Sequence, residues 1–406
     1  MIKAVHKGIK LYSDFDIDLN ITSFLPTEHL RLFIAKQNQN IEWAVDIGEH
    51  FNKYKILAYV DKNPIYAPLS GTIEKTALID FKGSSCYFCY INTDKEQLPS
   101  FPVLDVTDDP KNIFELKQVA KEAAIADDYR RKSFCDILDN SNPFKELVLI
   151  CADDQPYTLT KTAMLLNFYD EVFYGFDIIA RALKIEKQTL AVINNFKIKS
   201  FLKSTEIKYP VKKMVMRYPL YSAINKEAQK TRALIISPEV CRAVYRAVIF
   251  KEPQTTKVIT AWGSAIEEPK ILEVPIGTAV QDILKVCSAY KVVGKIVASG
   301  VLSGYLTAPY FSVTKYDDSI TAITENENLT QTMCINCGKC ISICPESLAP
   351  YYILQKPFFK SQNNKMLATF KYCTGCGCCS YVCPARIPLK SYIKAYNQEI
   401  KRQNNE

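Results

Sequence analysis

The C-terminal part of the chain carries one cysteine pattern twice, and this pattern restricts the fold of that segment more than any other feature. In each copy, three cysteines recur at every third position, a fourth follows four positions later, and a proline comes directly after it. The first copy consists of Cys334, Cys337, Cys340, Cys344 and Pro345. The second copy consists of Cys373, Cys376, Cys379, Cys383 and Pro384. The repetition predicts two similar halves, each a tight loop followed by a helix.

The spacing also indicates what the loops surround. Two-cluster bacterial ferredoxins have this run; three close thiolates bind one [4Fe–4S] cluster and the fourth binds the other. The predicted ligands of the first cluster are therefore Cys334, Cys337, Cys340 and Cys383. The predicted ligands of the second cluster are Cys373, Cys376, Cys379 and Cys344. A zinc ribbon would leave the third cysteine and the Cys-Pro unexplained, and a disulfide framework does not suit a long chain that shows no secretory signal.

Small residues and helical stretches support the two-cluster prediction. Gly338, Gly375 and Gly377 lie inside the loops, where the backbone must bend sharply and glycine does so at least cost. Helices are predicted after each Cys-Pro, over Ser347–Gln355 and Leu389–Ile400.

Three further cysteines need an interpretation. Cys378 lies between two predicted ligands and is interpreted as a non-ligand, with replacement of Cys379 after a one-residue shift of the loop as the alternative. Cys86 and Cys89 lie in a strand-like stretch, where their side chains would point to opposite faces. They are interpreted as buried small side chains, with a redox pair as the less favoured alternative.

Composition narrows the class of protein. A chain of 406 residues with 48% hydrophobic and 23% charged residues is expected to form two to four globular domains. No apolar run approaches the length of a membrane span. Fifteen cysteines, eight of them needed as thiolates, predict a reducing, cytoplasmic location, with docking on a membrane partner as an alternative. The net charge of +8 without a basic stripe argues against nucleic acid and suits an acidic protein partner, with an ordinary solvated basic surface as the alternative.

The N-terminal part of the chain reads as short strands. The stretch Ile56–Val60, a turn at 61–64 and the stretch Ile65–Ile73 alternate apolar and small residues around Pro and Gly, which predicts a compact stack of β-hairpins. These returning strands resemble those of lipoyl-type barrel-sandwich domains. No lysine occupies the turn that such domains modify, so a scaffold role is predicted.

The middle of the chain alternates helices and strands. A helix over Phe114–Ala126, a strand over Leu147–Cys151, a helix ending near Leu183 and a strand over Leu190–Ile193 predict a parallel sheet. Residues 257–287 form a further compact unit of strands and one helix.

Two acidic residues follow the strand that ends at Cys151. Asp153 and Asp154 would lie in the crevice at the carboxyl ends of the parallel strands, where nucleotides bind in such folds. They are the candidate cofactor-binding residues, with a solvated loop as the equal alternative, since no glycine occurs between Gly83 and Gly175. The three histidines offer no acid–base site, so no catalytic residue is predicted.

Several segments, taken in order along the chain, resemble the C subunit of the Rnf electron-transport complex and its soluble relatives in proline reduction and cobalamin reduction. The similar segments are 67–72, 149–158, 245–248, 268–278 and 334–340. The resemblance implies a multidomain α+β fold with a barrel-sandwich domain over 1–100 and a Rossmann-like α/β domain over 110–230. It further implies a β-grasp domain that binds soluble ligands over 231–315 and a dicluster ferredoxin domain over 320–400.

One departure from the family bears on cofactors. Members that oxidise NADH carry a loop Gly-x-Gly-Gly-Ala-Gly-Phe-Pro-Thr, whose bare backbone approaches FMN and nicotinamide. Here the corresponding segment is 126–134, with the bulky residues Tyr129, Arg130 and Arg131. It also holds Asp127 and Asp128, whose charge is expected to repel phosphate. The segment therefore argues against FMN and NADH.

Three functions remain open at this stage. The favoured one is an electron relay that passes single electrons through two [4Fe–4S] clusters, between a ferredoxin-like or flavodoxin-like donor and a reductase or membrane complex. The first alternative is an NADH-dependent flavin and iron–sulfur oxidoreductase that uses Asp153 and Asp154. The second alternative is a redox-sensing or assembly protein, which the pair of complete ligand sets disfavours because sensing needs only one labile centre.

Overall fold

The computed structural model describes residues 8–10, 17–25, 28–81, 83–97, 103–139, 143–214, 217–289, 293–324, 330–358 and 365–403. Within these ranges the protein is a mixed α+β structure built from several packed units, as the sequence predicts.

The N-terminal unit consists of strands alone. The described chain begins with β1 (Ile9–Lys10) and β2 (Ile21–Ser23), which pair with strands much later in the sequence. The unit itself contains β3 (His29–Lys36), β4 (Ile41–Trp43), β5 (His50–Phe51), β6 (Ile56–Val60), β7 (Asn63–Tyr66), β8 (Gly71–Phe81) and β9 (Ser84–Thr93). Strands β3, β9, β8 and β5 form one antiparallel sheet and β4, β6 and β7 form another.

The predicted hairpin stack is therefore present, with one difference. Strand β6 has the predicted bounds, but the predicted strand Ile65–Ile73 is divided between β7 and β8. The break contains Pro68, which has no N–H to donate to a sheet.

The second unit alternates helices and strands around a parallel sheet. It begins with α1 (Ile113–Glu122), β10 (Ala126–Asp127), β11 (Lys132–Ser133), α2 (Phe134–Leu138), β12 (Glu146–Cys151), α3 (Thr160–Asn167) and α4 (Tyr169–Leu183). It continues with β13 (Gln188–Ile193), α5 (Phe196–Ser204), β14 (Val211–Met214), β15 (Arg217–Tyr218), α6 (Leu220–Thr231), β16 (Ala233–Ile236) and α7 (Pro238–Ile249). The sheet order is β14-β13-β12-β16, and all pairs are parallel, which confirms the predicted parallel sheet.

Two of the predicted unit boundaries do not match this packing. Strand β16 and helix α7 lie beyond the predicted division at 230/231, yet β16 pairs with β12 and α7 packs into the core of the parallel sheet. Strand β2, predicted to belong to the N-terminal unit, instead pairs with β18 (Lys270–Pro275). Both differences arise because strand pairing joins segments that are distant in sequence, and local patterns carry no signal for it.

The third unit is a six-stranded mixed sheet with one helix. It contains β17 (Thr256–Trp262), β18, α8 (Val280–Val286), β19 (Lys295–Ala298), β20 (Tyr305–Thr307) and β21 (Ser319–Ile323). With β2 at one edge, the sheet order is β2-β18-β17-β21-β19-β20. The strands and the helix predicted over residues 257–287 are present as β17, β18 and α8.

The C-terminal unit is made of short helices and loops. It contains α9 (Lys339–Ile343), a 3₁₀-helix (Pro350–Phe358), α10 (Lys365–Ala368), a second 3₁₀-helix (Thr369–Tyr372), α11 (Cys378–Tyr381) and α12 (Leu389–Gln403). The predicted helix at 389–400 is present as α12. The predicted helix at 347–355 is a 3₁₀-helix that starts later, at Pro350, whose fixed φ suits a first helical position.

No helix in the described part of the chain combines the length and the apolar character that crossing a membrane requires.

Candidate metal centres and the sheet crevice

The cysteines of the two runs line two separate cavities in the C-terminal unit. A cavity of about 380 Å³ is lined by Cys334, Cys337, Cys340 and Cys383, together with apolar side chains. Cys334 and Cys337 come from the extended loop before α9, and Cys340 comes from the first turn of that helix. Cys383 comes from the other run, just after α11.

The second cavity is smaller, with a volume of about 20 Å³. Its lining includes the other four predicted ligands, Cys344, Cys373, Cys376 and Cys379. In both runs a left-handed glycine precedes the helix that holds the third cysteine, with φ of +72° at Gly338 and +81° at Gly377. Such a backbone conformation strains residues with a Cβ atom.

In space, then, the fourth cysteine of each run lies with the first three of the other run. This is the crossed grouping that the ferredoxin-type spacing predicts. Among the residues that the structure describes, no three His, Cys, Asp or Glu side chains are arranged to hold a single metal ion. A cubane cluster needs a wider arrangement, because each ligand sulfur binds a different iron atom.

The chemistry of the two quartets fits iron–sulfur clusters. Burial raises the pKa of Cys340, Cys344 and Cys373, and raises that of Cys379 to about 12. Buried thiols become thiolates when a cationic metal centre binds them. The backbone N–H of Leu348 also points at the sulfur of Cys344, 3.4 Å away, as the N–H groups that tune clusters do.

Cys378 lines the second cavity beside the four predicted ligands. Its side chain is fully buried, and its sulfur donates a hydrogen bond to the carbonyl oxygen of Tyr218 at 3.8 Å. The same thiol is hydrogen-bonded to Cys376 and lowers the pKa of that predicted ligand to about 6. The interpretation of Cys378 as a non-ligand, with replacement of Cys379 as the alternative, stays a prediction.

The second quartet lies against the rest of the protein. The hydroxyl of Tyr218, at the end of β15, donates to the carbonyl oxygen of Cys376 at 2.5 Å. The ammonium of Lys390 donates to the carbonyl oxygen of Leu302, in the loop between β19 and β20, at 2.9 Å. Contacts from two other units thus enclose the second cavity, and no local pattern along the chain indicated either of them.

The candidate nucleotide-binding residues Asp153 and Asp154 follow strand β12 and are turned toward helix ends. The carboxylate of Asp153 accepts hydrogen bonds from the backbone N–H of Lys161 (2.9 Å) and of Thr162 (3.2 Å), in the first turn of α3. Asp154 accepts from the N–H groups of Leu220 and Tyr221, at the start of α6. Burial raises the pKa of Asp153 to about 6 and that of Asp154 to about 7. Both carboxylates thus satisfy helix N-termini that would otherwise lack acceptors.

The segment that replaces the family's glycine loop forms the β10–β11 hairpin at the same edge of the sheet. Asp127 is fully buried, and its carboxylate accepts from the backbone N–H of Arg130 at 2.6 Å and from its guanidinium at 2.7 Å. The guanidinium also donates to the carbonyl oxygen of Ile235, in strand β16, at 3.1 Å.

Asp128 enters a buried ion pair. Its carboxylate lies 3.0 Å from the ammonium of Lys161, and both side chains are only 4% exposed. Ser237 donates to the same carboxylate at 2.6 Å. Burial alone would raise the pKa of Asp128, but Lys161 and then Lys257 hold it below its ordinary value. The predicted electrostatic repulsion of phosphate by Asp127 and Asp128 is therefore wrong, since both charges are already compensated inside the protein.

What fills the crevice is an aromatic side chain. The ring of Tyr129 stacks on that of Tyr221 with centroids 4.6 Å apart and an interplanar angle of 3°. Its hydroxyl donates to the carbonyl oxygen of Ile150 at 2.9 Å, near the carboxyl end of β12. The ammonium of Lys161 lies 4.8 Å from the centroid of the Tyr129 ring. We call Asp128, Tyr129, Lys161 and Tyr221 the crevice plug.

The pair Cys86 and Cys89 is buried in the N-terminal unit, in strand β9. The thiol of Cys86 donates to the carbonyl oxygen of Ser84 at 3.4 Å. Burial raises the pKa of Cys89 to about 12. This environment agrees with the predicted role of both residues as small core side chains.

Comparison with known proteins agrees with this arrangement. The family described as "4Fe-4S dicluster domain" matches residues 333–387. The C subunit of the ion-translocating oxidoreductase complex of Buchnera aphidicola subsp. Acyrthosiphon pisum is 25% identical, over 92% of this chain and 85% of the relative. The C subunit of the proton-translocating ferredoxin:NAD(+) oxidoreductase complex of Clostridium ljungdahlii is 27% identical, over 50% of this chain and 49% of the relative.

Among solved structures, the NAD⁺-reducing [NiFe]-hydrogenase in the air-oxidized state has a similar chain. The TM-score is 0.48 and the sequence identity 12%, and the match covers 71% of this chain and 64% of that chain.

The similarity to the Buchnera protein extends along nearly the whole sequence, and the dicluster match coincides with the two cysteine quartets. The chain is therefore a homologue of the C subunits of ion-translocating oxidoreductase complexes, and it carries an iron–sulfur dicluster segment for electron transfer.

Proposed function

We propose that this protein relays single electrons through two [4Fe–4S] clusters between partner redox proteins and does not oxidise NADH itself. The observation that carries the proposal is the crevice plug. A flavin in this crevice would need the space that the stacked rings of Tyr129 and Tyr221 occupy, and its phosphate would need a free cation, whereas Lys161 is paired with Asp128.

The two cysteine quartets supply the other half of the proposal. Cys334, Cys337, Cys340 and Cys383 would hold the first cluster, and Cys344, Cys373, Cys376 and Cys379 the second. When bound, such clusters take up and release one electron at a time at potentials that the surrounding protein sets. The protein's contribution is to supply the eight thiolates.

We assign Asp153 and Asp154 to helix capping in place of nucleotide binding. Their oxygens already accept backbone N–H groups from α3 and α6. An NADH-dependent flavoprotein, the runner-up function, would need these carboxylates or the neighbouring backbone to be free for a ligand.

The finer architecture is also proposed. Two all-β sheets over 28–97 support a barrel-sandwich unit, the parallel sheet supports a Rossmann-like unit that extends to Ile249, and the mixed sheet supports a β-grasp unit. We further propose a reducing cytoplasmic environment, since the eight predicted ligands are needed as thiolates, and docking to a redox complex, where the family names place similar subunits.

Cofactor analysis of the anaerobically purified protein tests the proposal. We expect about eight irons and eight sulfides per chain, little or no FMN in the absorbance spectrum, and no NADH-dependent reduction of a dye. The same sample should accept electrons from dithionite. Stoichiometric FMN with rapid NADH-dependent dye reduction would establish the oxidoreductase alternative.

A further inference from the structure

The two cysteine quartets differ in their access to solvent. In the first quartet Cys334 and Cys337 are both exposed, whereas in the second no thiol is exposed and Cys344 and Cys379 are buried. The second quartet is also the one that Tyr218 and the Leu302 loop enclose. Electrons that arrive from another protein therefore have their shortest path through the first quartet.

Large apolar side chains surround that exposed quartet. Met333 is 88% exposed, Ile335 65% and Ile341 38%. Ile335 and Ile341 line the first cavity, and Met333 directly precedes Cys334. We call these three residues the apolar rim. Clustered exposed apolar side chains beside a functional group are typical of protein-binding sites, and Met in particular adapts to the surface of a partner.

Charge indicates which kind of partner fits. Residues 331–400 contain eight lysine or arginine residues and two glutamates, in a chain whose whole net charge is +8. Lys339 directly precedes Cys340 and Arg386 lies three residues after Cys383, and both side chains are exposed. The positive charge of the protein is thus concentrated in the cluster segment, which favours association with a negatively charged protein.

Resting on the proposed relay function, we infer that an acidic one-electron carrier protein docks on the apolar rim and exchanges its electron with the first cluster. The second cluster then communicates with the body of the protein and not with this carrier. Apolar contact at the centre and basic residues around it would give a short-lived complex whose formation depends on salt.

Stopped-flow kinetics with the complete, cluster-loaded protein test the inference. The probe is a reduced plant-type [2Fe–2S] ferredoxin, which is acidic, and reduced methyl viologen is the small-molecule control. With wild-type protein, we expect the second-order rate constant for ferredoxin to fall about tenfold or more as salt is raised from low to high ionic strength. The double variant Met333→Asp/Lys339→Glu should lower that rate constant about tenfold at low salt.

A matched double variant separates docking from overall charge. Phe114→Asp/Lys199→Glu changes the net charge by the same amount and also replaces an exposed apolar side chain, since Phe114 is 77% exposed and Lys199 is exposed. It lies in α1 and α5, outside the cluster segment, and should leave the ferredoxin rate nearly unchanged. Both double variants should keep full iron content, and methyl viologen, itself a cation, should reduce them at least as fast as the wild-type protein.

The outcomes distinguish the docking surface from the relay function. The proposed docking surface is wrong in three cases: both double variants lower the rate of reduction by ferredoxin equally, neither variant lowers it, or the rim variant also lowers the rate of reduction by methyl viologen. In each case, clusters that can be reduced still support the relay function. If the viologen does not reduce the wild-type clusters, the relay function itself fails. A wild-type dimer in light scattering that the rim variant dissociates would assign the rim to a second copy of the chain and overturn the inference.

Discussion

The crevice plug makes a specific prediction about stability. Replacing Lys161 with Met removes the ammonium that lies 3.0 Å from the Asp128 carboxylate, in a place where both side chains are 4% exposed. Breaking a buried pair in this way leaves an uncompensated charge and typically costs about 3–5 kcal/mol. Since Ser237 still donates to Asp128 and Lys257 remains nearby, we expect the lower end, a loss of about 3 kcal/mol in the free energy of unfolding.

Urea unfolding followed by circular dichroism measures this loss. With a denaturant slope of about 1–3 kcal/mol per molar, the midpoint should fall by about 1 M or more. The double variant Lys161→Met/Asp128→Asn removes the stranded charge and should recover a substantial part of the loss. The pKa of Asp128 is lowered in the folded protein, so its ionised form stabilises the fold at pH values above the pKa of an aspartate in the unfolded chain, near 4. The difference in the free energy of unfolding between wild type and Lys161→Met should therefore shrink as the pH falls below about 4.

A ligand site would behave differently. If Lys161 were held ready for an anion, its removal would cost less than about 1 kcal/mol, and FMN or NADH would raise the wild-type midpoint. A bound ligand at one hundred times its Kd adds about 2.7 kcal/mol. Either result would refute the argument that the protein's own side chains fill the crevice.

Three further predictions concern the quartets and the buried carboxylates. Cys344→Ser should damage the second cluster more than the first, although it lies in the first run, and EPR of the reduced protein with iron analysis would show which signal is lost. Gly377→Ala should weaken the second cluster more than Gly338→Ala weakens the first, as measured by iron retention during gel filtration. Both glycines have positive φ, but of the two only Gly377 lies so that an added Cβ atom would meet a backbone oxygen, that of Leu302 at 2.5 Å. Burial raises the pKa of Asp154 to about 7, and a carboxyl group with a raised pKa destabilises the folded state as the pH rises. Asp154→Asn should therefore raise the free energy of unfolding at pH 8 and flatten its decline between about pH 4 and pH 7. Urea midpoints across this range would test the prediction, and an unchanged pH dependence would contradict it.

Local patterns were sufficient for much of the fold and for the grouping of the cysteines. Strand β6 and the parallel strands β12 and β13 follow from runs of apolar residues, and helix α12 follows from its place after the second Cys-Pro. The cysteine spacing predicted which thiols line each cavity. Local sequence patterns could not predict the crevice plug. Lys161 meets Asp128, and Tyr129 meets Tyr221, only because separate loops reach the same end of the parallel sheet. The sequence signal, two aspartates in place of glycines, indicated a change of function, but its interpretation as charge repulsion was wrong.

The crossed grouping of the cysteines has a consequence for how the protein is made. Neither cavity has its four thiols until most of the second run has been synthesised, because the second cavity is complete only with Cys379 and the first only with Cys383. A ribosome-bound chain that has exposed only the first run offers three thiols for one centre and a single thiol for the other. Insertion of either cluster must therefore wait for the second run, and a chain truncated between the two runs would complete neither centre.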